Sequence, residues 1–255
     1  IKNKDEYEYK IKKGLTSEII NEISKQKNDP EWMREFRLKA LEVYNSLEMP
    51  TWGPDLSELN MDEIATYVKP KSKLNSNWDD VPEDIKNTFD KLGIPEAEKT
   101  SLAGVGAQYD SEVVYHSIKE ELVKQGVIYT DMETAVRQYP EIVKEHFMKC
   151  VPVHDHKFVA LHGAVWSGGS FVYVPKGVKV DVPLQSYFRL NSPESGQFEH
   201  TLIIVDEGAS LHFVEGCSAP KYNKVNLHAG CVELYVKDNA YLRYSTIENW
   251  SKNML

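Results

Sequence analysis

The sequence lacks any apolar run near the length of about 20 residues that a membrane-spanning helix requires. Ile1–Lys13 alternates charged and apolar residues and has no apolar core of a secretory signal peptide. Cysteine is scarce, because the chain contains only Cys150, Cys217 and Cys231. This odd, sparse count does not suit a disulfide framework, so reduced thiols in a cytoplasmic protein are expected. The sequence leaves a Cys217–Cys231 pairing open.

Positive charge is also in deficit, since 30 Lys and Arg residues against 39 Asp and Glu residues give a formal net charge of -9. Binding to phosphate groups needs a basic field, so the acidic balance argues against nucleic acid as the main partner. Apolar and aromatic residues are plentiful, with 41% hydrophobic residues, 5 Trp and 14 Tyr. This content is enough to form a core and argues against a disordered chain.

Residues 1–150 are predicted to form a mainly helical region. A helix is expected from Asp29 to Met49, because its apolar residues recur every three or four positions. Ser111–Gln125 and Asp131–Phe147 are expected to be further helices. Gly104-Val105-Gly106 is interpreted as a turn, because the preceding strand and the third glycine of a dinucleotide-binding loop are lacking.

Residues 151–255 change to short β-branched and aromatic runs broken by Gly, Pro and Asp. Three runs repeat at a period of 31 residues: Phe171–Val174, Leu202–Val205 and Glu233–Val236. The same period relates three further sets: Gly177, Gly208 and Asn239; Val180, Leu211 and Leu242; and Val182, Phe213 and Tyr244. A constant period of strands without a helix is typical of a β-solenoid. The chain stops at Leu255 soon after a strand-like run, which favours a fragment of a longer protein.

Alternation along the predicted strands places a polar row on their inner face. The inward residues of the middle coil are expected to be Leu211, Phe213, Glu215 and Cys217. The 31-residue period places Glu248 beside Cys217 in one neighbouring coil and Ser186 beside it in the other. Buried polar groups need partners, so this row suggests a hydrated or functional interior. A bulge at Gly216, which would turn Cys217 to the surface, is the alternative.

Other polar residues give weaker patterns. No common zinc-ligand spacing is matched by the cluster of His146, Cys150, His154 and His156, so these are interpreted as residues of a domain junction. The acidic residues expected to be solvated are Glu194, Glu199 and Glu207. Glu215 and Glu248 disfavour a thiolate at Cys217, so a reactive thiol would need a nearby cation, for which Arg189 is the best candidate.

Several segments match one protein family in the same order along the chain. The most specific are Gly169–Pro175, Tyr187–Asn191, Gly196–Glu199, Thr201–Gly208, Glu215–Pro220 and Tyr244–Thr246 with Asn249-Trp250. Through these segments, nearly the whole chain resembles the SufB/SufD family of the SUF iron–sulfur cluster assembly system. The resemblance implies an α+β fold, with an N-terminal helical region followed by a right-handed parallel β-helix that here lacks the family's C-terminal coils and helices.

The resemblance also implies roles for individual residues. Cys217 matches the proposed acceptor of persulfide sulfur. The matched residues that line a proposed passage through the β-helix are Arg189, Asn191, Thr246 and Trp250. Glu248 lies in the same row where many members carry Gln, and a carboxylate could hold iron or a proton there. No other metal ligand is expected within the chain, and Cys231 is expected to serve packing.

As a member of this family, the protein would be an assembly scaffold rather than an enzyme. The implied partners are a SufC-type ATPase, SufD or a second copy of the chain, and the SufS desulfurase with SufE or SufU. The implied cargo is a transient iron–sulfur cluster of the 4Fe-4S type, and reduced flavin is a further candidate cofactor. The alternatives are a structural SufD-like subunit without a sulfur-acceptor role and a polysaccharide-active β-helix enzyme, which the missing signal segment disfavours.

Overall fold

The computed structural model describes residues 6–91 and 104–255. The helices in these ranges are α1 (Ser17–Gln26), α2 (Glu31–Ser46), α3 (Glu83–Lys91), α4 (Glu120–Lys124), α5 (Met132–Gln138), α6 (Pro140–His146) and α7 (Lys157–Val165). The strands are β1 (Tyr9–Lys10), β2 (Val68–Lys69), β3 (Gly104–Tyr109), β4 (Glu112–Ile118), β5 (Ile128–Asp131), β6 (Ser170–Val174), β7 (Leu184–Arg189), β8 (Gly196–Gln197), β9 (His200–Val205), β10 (Ser210–Ser218), β11 (Leu227–His228), β12 (Cys231–Val236) and β13 (Tyr241–Asn249). The fold is therefore mixed, with helices and sheets that contain parallel strands.

Parallel strands form the centre of the fold. One sheet has the order β12-β9-β6-β5, and another has the order β13-β10-β7-β3-β4. All neighbours in these two sheets are parallel except β5 with β6 and β3 with β4, which are antiparallel. The short strands β8 and β11 form a third parallel pair. Successive strands along the chain thus alternate between sheets, and each strand lies beside its counterpart in the next repeat.

The period predicted from the sequence is the register of most of these pairs. Val205 pairs with Val174 on one side and with Val236 on the other, and each partner is 31 residues away. The turn residues at the shared position all have positive φ, with values of 74°, 66° and 58° for Gly177, Gly208 and Asn239. The predicted left-handed turn after each strand is therefore confirmed.

Strand β7 departs from the period. Phe213 pairs with Leu184, which is 29 residues earlier, and not with Val182 as the sequence predicts. Val182 is 37% exposed and lies outside the strand. Pro183 precedes β7 directly, and proline cannot donate to a strand ladder. The first repeat therefore carries two extra residues before its second strand starts.

Three segments of the N-terminal part differ from the sequence prediction. Ser111–Gln125 contains β4 and only the short helix α4, because β4 pairs with β3 over most of its length. Gly104-Val105-Gly106 is not a turn but the start of β3, and a Cβ on Gly104 would lie 2.9 Å from the Tyr129 ring. Asp131–Phe147 is divided into α5 and α6, because Pro140 cannot continue α5 and starts α6 instead.

Strands from both sides of residue 150 share the same sheets. β3 and β5 precede it, yet they pair with β7 and β6, and helix α7 follows it. The division into 1–150 and 151–255 therefore stays a prediction about domains.

Buried ion pairs join the helices to the strand stack. Arg37 of α2 is fully buried, donates to Asp29 at 2.7 Å, and also bonds the Trp166 carbonyl oxygen at 2.8 Å. Lys27 lies within 2.9 Å of the carboxylates of Glu112 in β4 and Glu133 in α5. Among the described residues, no helix combines the length and the apolar character needed to cross a bilayer.

Candidate functional site

Strand β10 presents an inward row of buried side chains. The four members of the row are at most 4% exposed, and they are Leu211, Phe213, Glu215 and Cys217. The ladder with β13 runs from Ser210 to Ser218 without a register shift at Gly216. The predicted inward row is therefore confirmed, and the alternative of a bulge that exposes Cys217 is wrong.

The neighbours of Cys217 agree with the sequence prediction on one side only. Cys217 pairs with Glu248 of β13, and its thiol hydrogen-bonds the Glu248 carboxylate. On the other side Cys217 pairs with Phe188, whereas Ser186 pairs with Glu215. The predicted Cys217–Ser186 contact is wrong, because the two extra residues before β7 shift its register.

Glu199 joins this row from the corner between β8 and β9. The sequence predicts a solvated carboxylate, but Glu199 is 3% exposed. One ligand atom each from Glu199, Glu215 and Cys217 lies within 4.8 Å of the other two. We call these three residues the carboxylate–thiol cluster. Glu199 Oε1 accepts a hydrogen bond from His228 Nε2 at 2.5 Å, while Glu199 Oε2 is buried without a hydrogen-bond partner.

A signal for the buried Glu199 exists in the period. His200 pairs with Cys231, so Glu199 lies opposite Gly230 in the next repeat. A Cβ on Gly230 would lie 2.6 Å from Glu199 Oε1, so the glycine leaves room for the carboxylate. The other two acidic residues expected to be solvated form surface ion pairs with lysines: Glu194 with Lys13 and Lys224, and Glu207 with Lys176.

The electrostatics of the cluster oppose ionisation of its acids. Burial raises the pKa of the Cys217 thiol well above its usual range, and the charges of Glu199 and Glu215 raise it further. Burial, followed by the charge of Glu199, raises the pKa of Glu215 to about 8. Tyr244 donates a short hydrogen bond to the Glu215 carboxyl. Without a cation, the cluster therefore favours protonated forms of Glu215 and Cys217.

Arg189 does not face the Cys217 thiol. It pairs with Ser218, and its Nη1 donates to Ser218 Oγ at 3.2 Å. Successive side chains of a strand alternate between faces, so Arg189 lies on the Ser218 side and not on the Cys217 side. The histidine that interacts with the cluster is His228. Burial tends to lower the pKa of His228, but the charge of Glu199 raises it above its usual value.

The remaining predicted passage residues divide into two groups. Thr246 donates to Glu248 Oε1 at 2.7 Å, and the Trp250 ring lies 4.5 Å from the His228 ring, so both border the cluster. Asn191 lies elsewhere, because its backbone N–H donates to Asp110 Oδ1 at 2.7 Å.

A second buried polar chain, which the sequence does not predict, joins α7 to β9 and β12. His162 Nε2 lies 2.8 Å from His200 Nδ1, and His200 Nε2 lies 2.9 Å from Glu233 Oε1. Glu233 also accepts from the backbone N–H groups of Met148, Cys150 and Val151. Burial lowers the pKa of both histidines. The three residues are distant in sequence, and no local motif marks them.

The cysteines are free thiols, so the Cys217–Cys231 pairing that the sequence leaves open does not form. Cys231 is buried, and its ligand atom lies within 4.8 Å of those of His162 and His200. The junction cluster of His146, Cys150, His154 and His156 forms no set of metal ligands among the described residues.

Parallel strands stacked around an internal cysteine and its carboxylates define a class of repeat protein, and comparison with known families specifies it. The family model "SufBD protein N-terminal region" matches residues 16–186. The model "SUF system FeS cluster assembly, SufBD core domain" matches residues 188–255. The chain belongs to the SufBD family.

Curated relatives agree with this assignment. The chain is 56% identical over 252 residues to "Iron-sulfur cluster assembly protein SufB" of Bacillus subtilis, which covers 99% of this chain and 54% of that protein. An "iron-sulfur cluster assembly SufBD family protein" of Staphylococcus haemolyticus is 57% identical over 246 residues, or 96% of this chain and 53% of that protein. The chain spans about half the length of these relatives.

Proposed function

We propose that the chain is the sulfur-accepting part of a scaffold for iron–sulfur cluster assembly. The observation that carries the proposal is the position of Cys217, a buried free thiol in the inward row of β10 beside Glu248. The similarity to a protein named SufB supplies the biological context. The structure supplies the residue, since Cys150 is exposed and Cys231 packs beside the histidine chain.

We also propose the finer architecture of a right-handed parallel β-helix with about 31 residues per coil. The supporting observations are the 31-residue register of most parallel pairs and the alternation of successive strands between sheets. The N-terminal helical region of residues 1–150 would precede it, with β3, β4 and β5 extending its sheets.

The proposed sulfur transfer is a thiol exchange at Cys217. The Cys217 thiolate attacks the outer sulfur of a cysteine persulfide on the donor, so a new S–S bond forms on Cys217 while the S–S bond of the donor breaks. The donor cysteine leaves as a thiolate and takes up a proton, and Cys217 gives up its own. The transferred sulfur keeps its oxidation state, so no external oxidant or reductant is needed. Glu248 is placed to take the thiol proton, because it hydrogen-bonds the thiol.

The proposed passage continues from Cys217 along polar side chains. Thr246, Glu248 and Trp250 border Cys217 and its histidine neighbour on the β13 side. Arg189 and Asn191 would form a separate polar section near Asp110. Glu248 is a further candidate to hold iron, because an exposed carboxylate at a sheet edge offers oxygen ligands.

The proposed partners follow from the family. They are a SufC-type ATPase that drives assembly, SufD or a second copy of the chain, and SufS with SufE or SufU as the sulfur source. The cargo would be a transient cluster of the 4Fe-4S type, with reduced flavin as a candidate electron source. In this proposal the protein acts in the cytoplasm and, as a scaffold, turns over no small-molecule substrate by itself.

The test is the substitution Cys217→Ser in the full-length protein, assembled with its ATPase and desulfurase partners. Serine keeps the size of the side chain but cannot carry sulfane sulfur. We expect cluster formation, measured as protein-bound iron and acid-labile sulfide, to fall to background. The matched control is Cys231→Ser, a second buried free cysteine, which should retain cluster formation. Normal yield in Cys217→Ser would contradict the acceptor role.

One observation favours the alternative of a structural SufD-like subunit. The raised pKa of the Cys217 thiol disfavours the thiolate that sulfur transfer needs. If Cys217 serves only packing, its thiol should be inert to persulfide donors as well as to alkylating reagents, and Cys217→Ser should assemble clusters normally.

A further inference from the structure

The carboxylate–thiol cluster concentrates three acidic groups in the interior. Glu199, Glu215 and Cys217 are 3%, 2% and 4% exposed. Glu215 and Cys217 point inward from β10, whereas Glu199 approaches from the corner before β9, so the three groups converge from two elements of the fold. Buried acids in contact are costly unless a positive charge or hydrogen-bond donors compensate them.

The hydrogen bonds of the cluster leave one oxygen unsatisfied. Glu199 Oε1 accepts from His228, and the Glu215 carboxyl accepts from Tyr244. Glu199 Oε2 is buried and has no hydrogen-bond partner. A buried carboxylate oxygen without a donor is rare in proteins, and a bound cation is one of its ordinary explanations.

We propose that Glu199, Glu215 and Cys217 bind a single divalent first-row transition-metal ion, with Fe²⁺ and Zn²⁺ as the matching ions. A thiolate with two carboxylates suits these ions, whereas Mg²⁺ and Ca²⁺ take oxygen ligands only. The inference goes beyond sulfur acceptance, because it stands even if Cys217 never carries sulfur.

The geometry needs only small adjustments to hold such an ion. Tetrahedral ligands at about 2.0–2.3 Å from a metal lie about 3.5 Å from one another. The three ligand atoms already lie within 4.8 Å of each other, so movements of about 1 Å within their rotamers bring them to the ion. His228 orients Glu199 through its hydrogen bond, as a neighbouring histidine or carboxylate does for many metal ligands.

The fourth position of this site faces Glu248. That carboxylate hydrogen-bonds the Cys217 thiol and lies on the exposed strand β13. The ion would therefore enter from the β13 side, where Glu248 offers the first oxygen ligand. Binding displaces the thiol proton, because only the thiolate is a ligand.

The other group of candidate ligands is less suited to an ion. His162, His200 and Cys231 also bring their ligand atoms within 4.8 Å of one another. However, His162 bonds the Ala229 carbonyl oxygen and His200, and His200 bonds Glu233, so every ring nitrogen of the pair already has a partner. A metal would have to break this chain of hydrogen bonds, whereas in the carboxylate–thiol cluster it would satisfy an unsatisfied oxygen.

The test is an anaerobic titration of the full-length, metal-free protein with Co²⁺, whose bond to a thiolate gives a near-ultraviolet charge-transfer band. We expect a band that disappears in Cys217→Ser and persists in Cys231→Ser. Glu199→Gln and Glu215→Gln should weaken Co²⁺ binding by at least about tenfold. The surface variant Glu207→Gln is the control for loss of one negative charge. Competition with Fe²⁺ and with Zn²⁺ identifies which ion displaces Co²⁺ more effectively.

The outcomes separate this inference from the proposed function. A band that persists in Cys217→Ser, or one that disappears in Cys231→Ser alone, would overturn the assignment of the site. A band lost only in Cys150→Ser would mean adventitious binding at an exposed thiol and would also overturn it. Thermal unfolding of each variant verifies that it folds. Persulfide formation on Cys217 without any Cys217-dependent band would remove the metal site alone, whereas the band without persulfide would remove sulfur acceptance alone.

Discussion

At the residue scale, the chemistry of the inward row depends on which side chains hold protons. Burial and the charge of Glu199 raise the pKa of Glu215 to about 8, so this carboxyl is mostly protonated at neutral pH. Burial also raises the pKa of the Cys217 thiol. The metal-free interior therefore carries less negative charge than its formal composition indicates. Any cation or persulfide donor that reaches Cys217 has to displace a proton first.

His116 gives a prediction about acid stability that is independent of the carboxylate–thiol cluster. Its ring packs edge-on against Tyr129 in β4, and burial lowers its pKa from 6.5 to about 4. The unfolded chain takes up a proton as the pH falls through about 6.5, and the folded chain does so only near 4. The contribution of His116 to stability is therefore complete above the unfolded pKa and is lost progressively between these two values.

We expect His116→Phe, which keeps an aromatic ring but cannot titrate, to reduce the loss of unfolding free energy between about pH 7 and about pH 4.5 by roughly 1 to 2 kcal/mol. Urea unfolding at a series of pH values measures this loss. Substitution of the exposed His154 by Gln is the control and should leave the pH dependence unchanged. An unaltered pH dependence in His116→Phe would show that His116 is not the residue responsible.

At the element scale, the junction between α7 and β6 depends on a close approach of two backbones. Gly169 has φ of +100°, and a Cβ on it would lie 2.0 Å from the His200 carbonyl oxygen. Its N–H donates to Gln108 Oε1 at 2.9 Å, which ties β3 to the start of β6. Gly177 has a similar φ of +74°, but a Cβ there would have no atom within 4 Å. The pair separates backbone strain from steric clash.

We expect Gly177→Ala to cost about 1 kcal/mol of unfolding free energy, because alanine is disfavoured only by the left-handed backbone. Gly169→Ala should cost at least about 3 kcal/mol, because the β9 backbone must also move away. Denaturant unfolding of both variants measures the difference. Equal costs for the two substitutions would contradict the close packing of β6 on β9.

The sequence predicted some elements well for identifiable reasons. The strands from residue 170 onwards repeat, so each position is observed several times, and Val174, Val205 and Val236 lie in register as expected. The N-terminal strands do not repeat. β4 carries enough apolar residues for a helix, and only its pairing with β3 makes it a strand. Pro183 shows why a constant period fails locally, since two added residues shift β7 without changing the strands beyond it.

At the scale of the whole molecule, the sites arise from contacts between distant parts of the chain. The period alone places Cys217 beside Glu248, because they occupy the same position in consecutive repeats. It does not place Glu199 in the same cluster, since that contact crosses the interior from a different corner. The chain of His162, His200 and Glu233 joins a helix to two strands and has no counterpart in any local pattern. Functional residues within one repeat were therefore predictable, and those brought together by folding were not.

The central claim is that Cys217 accepts sulfur in the interior of the strand stack. The most direct measurement incubates the full-length protein with a cysteine desulfurase, its sulfur-carrier partner and L-cysteine, and then locates persulfide by mass spectrometry of alkylated peptides. We predict one added sulfur atom on the Cys217 peptide and none on that of Cys231. Persulfide that appears on the exposed Cys150 while Cys217 remains an unmodified thiol would contradict the account.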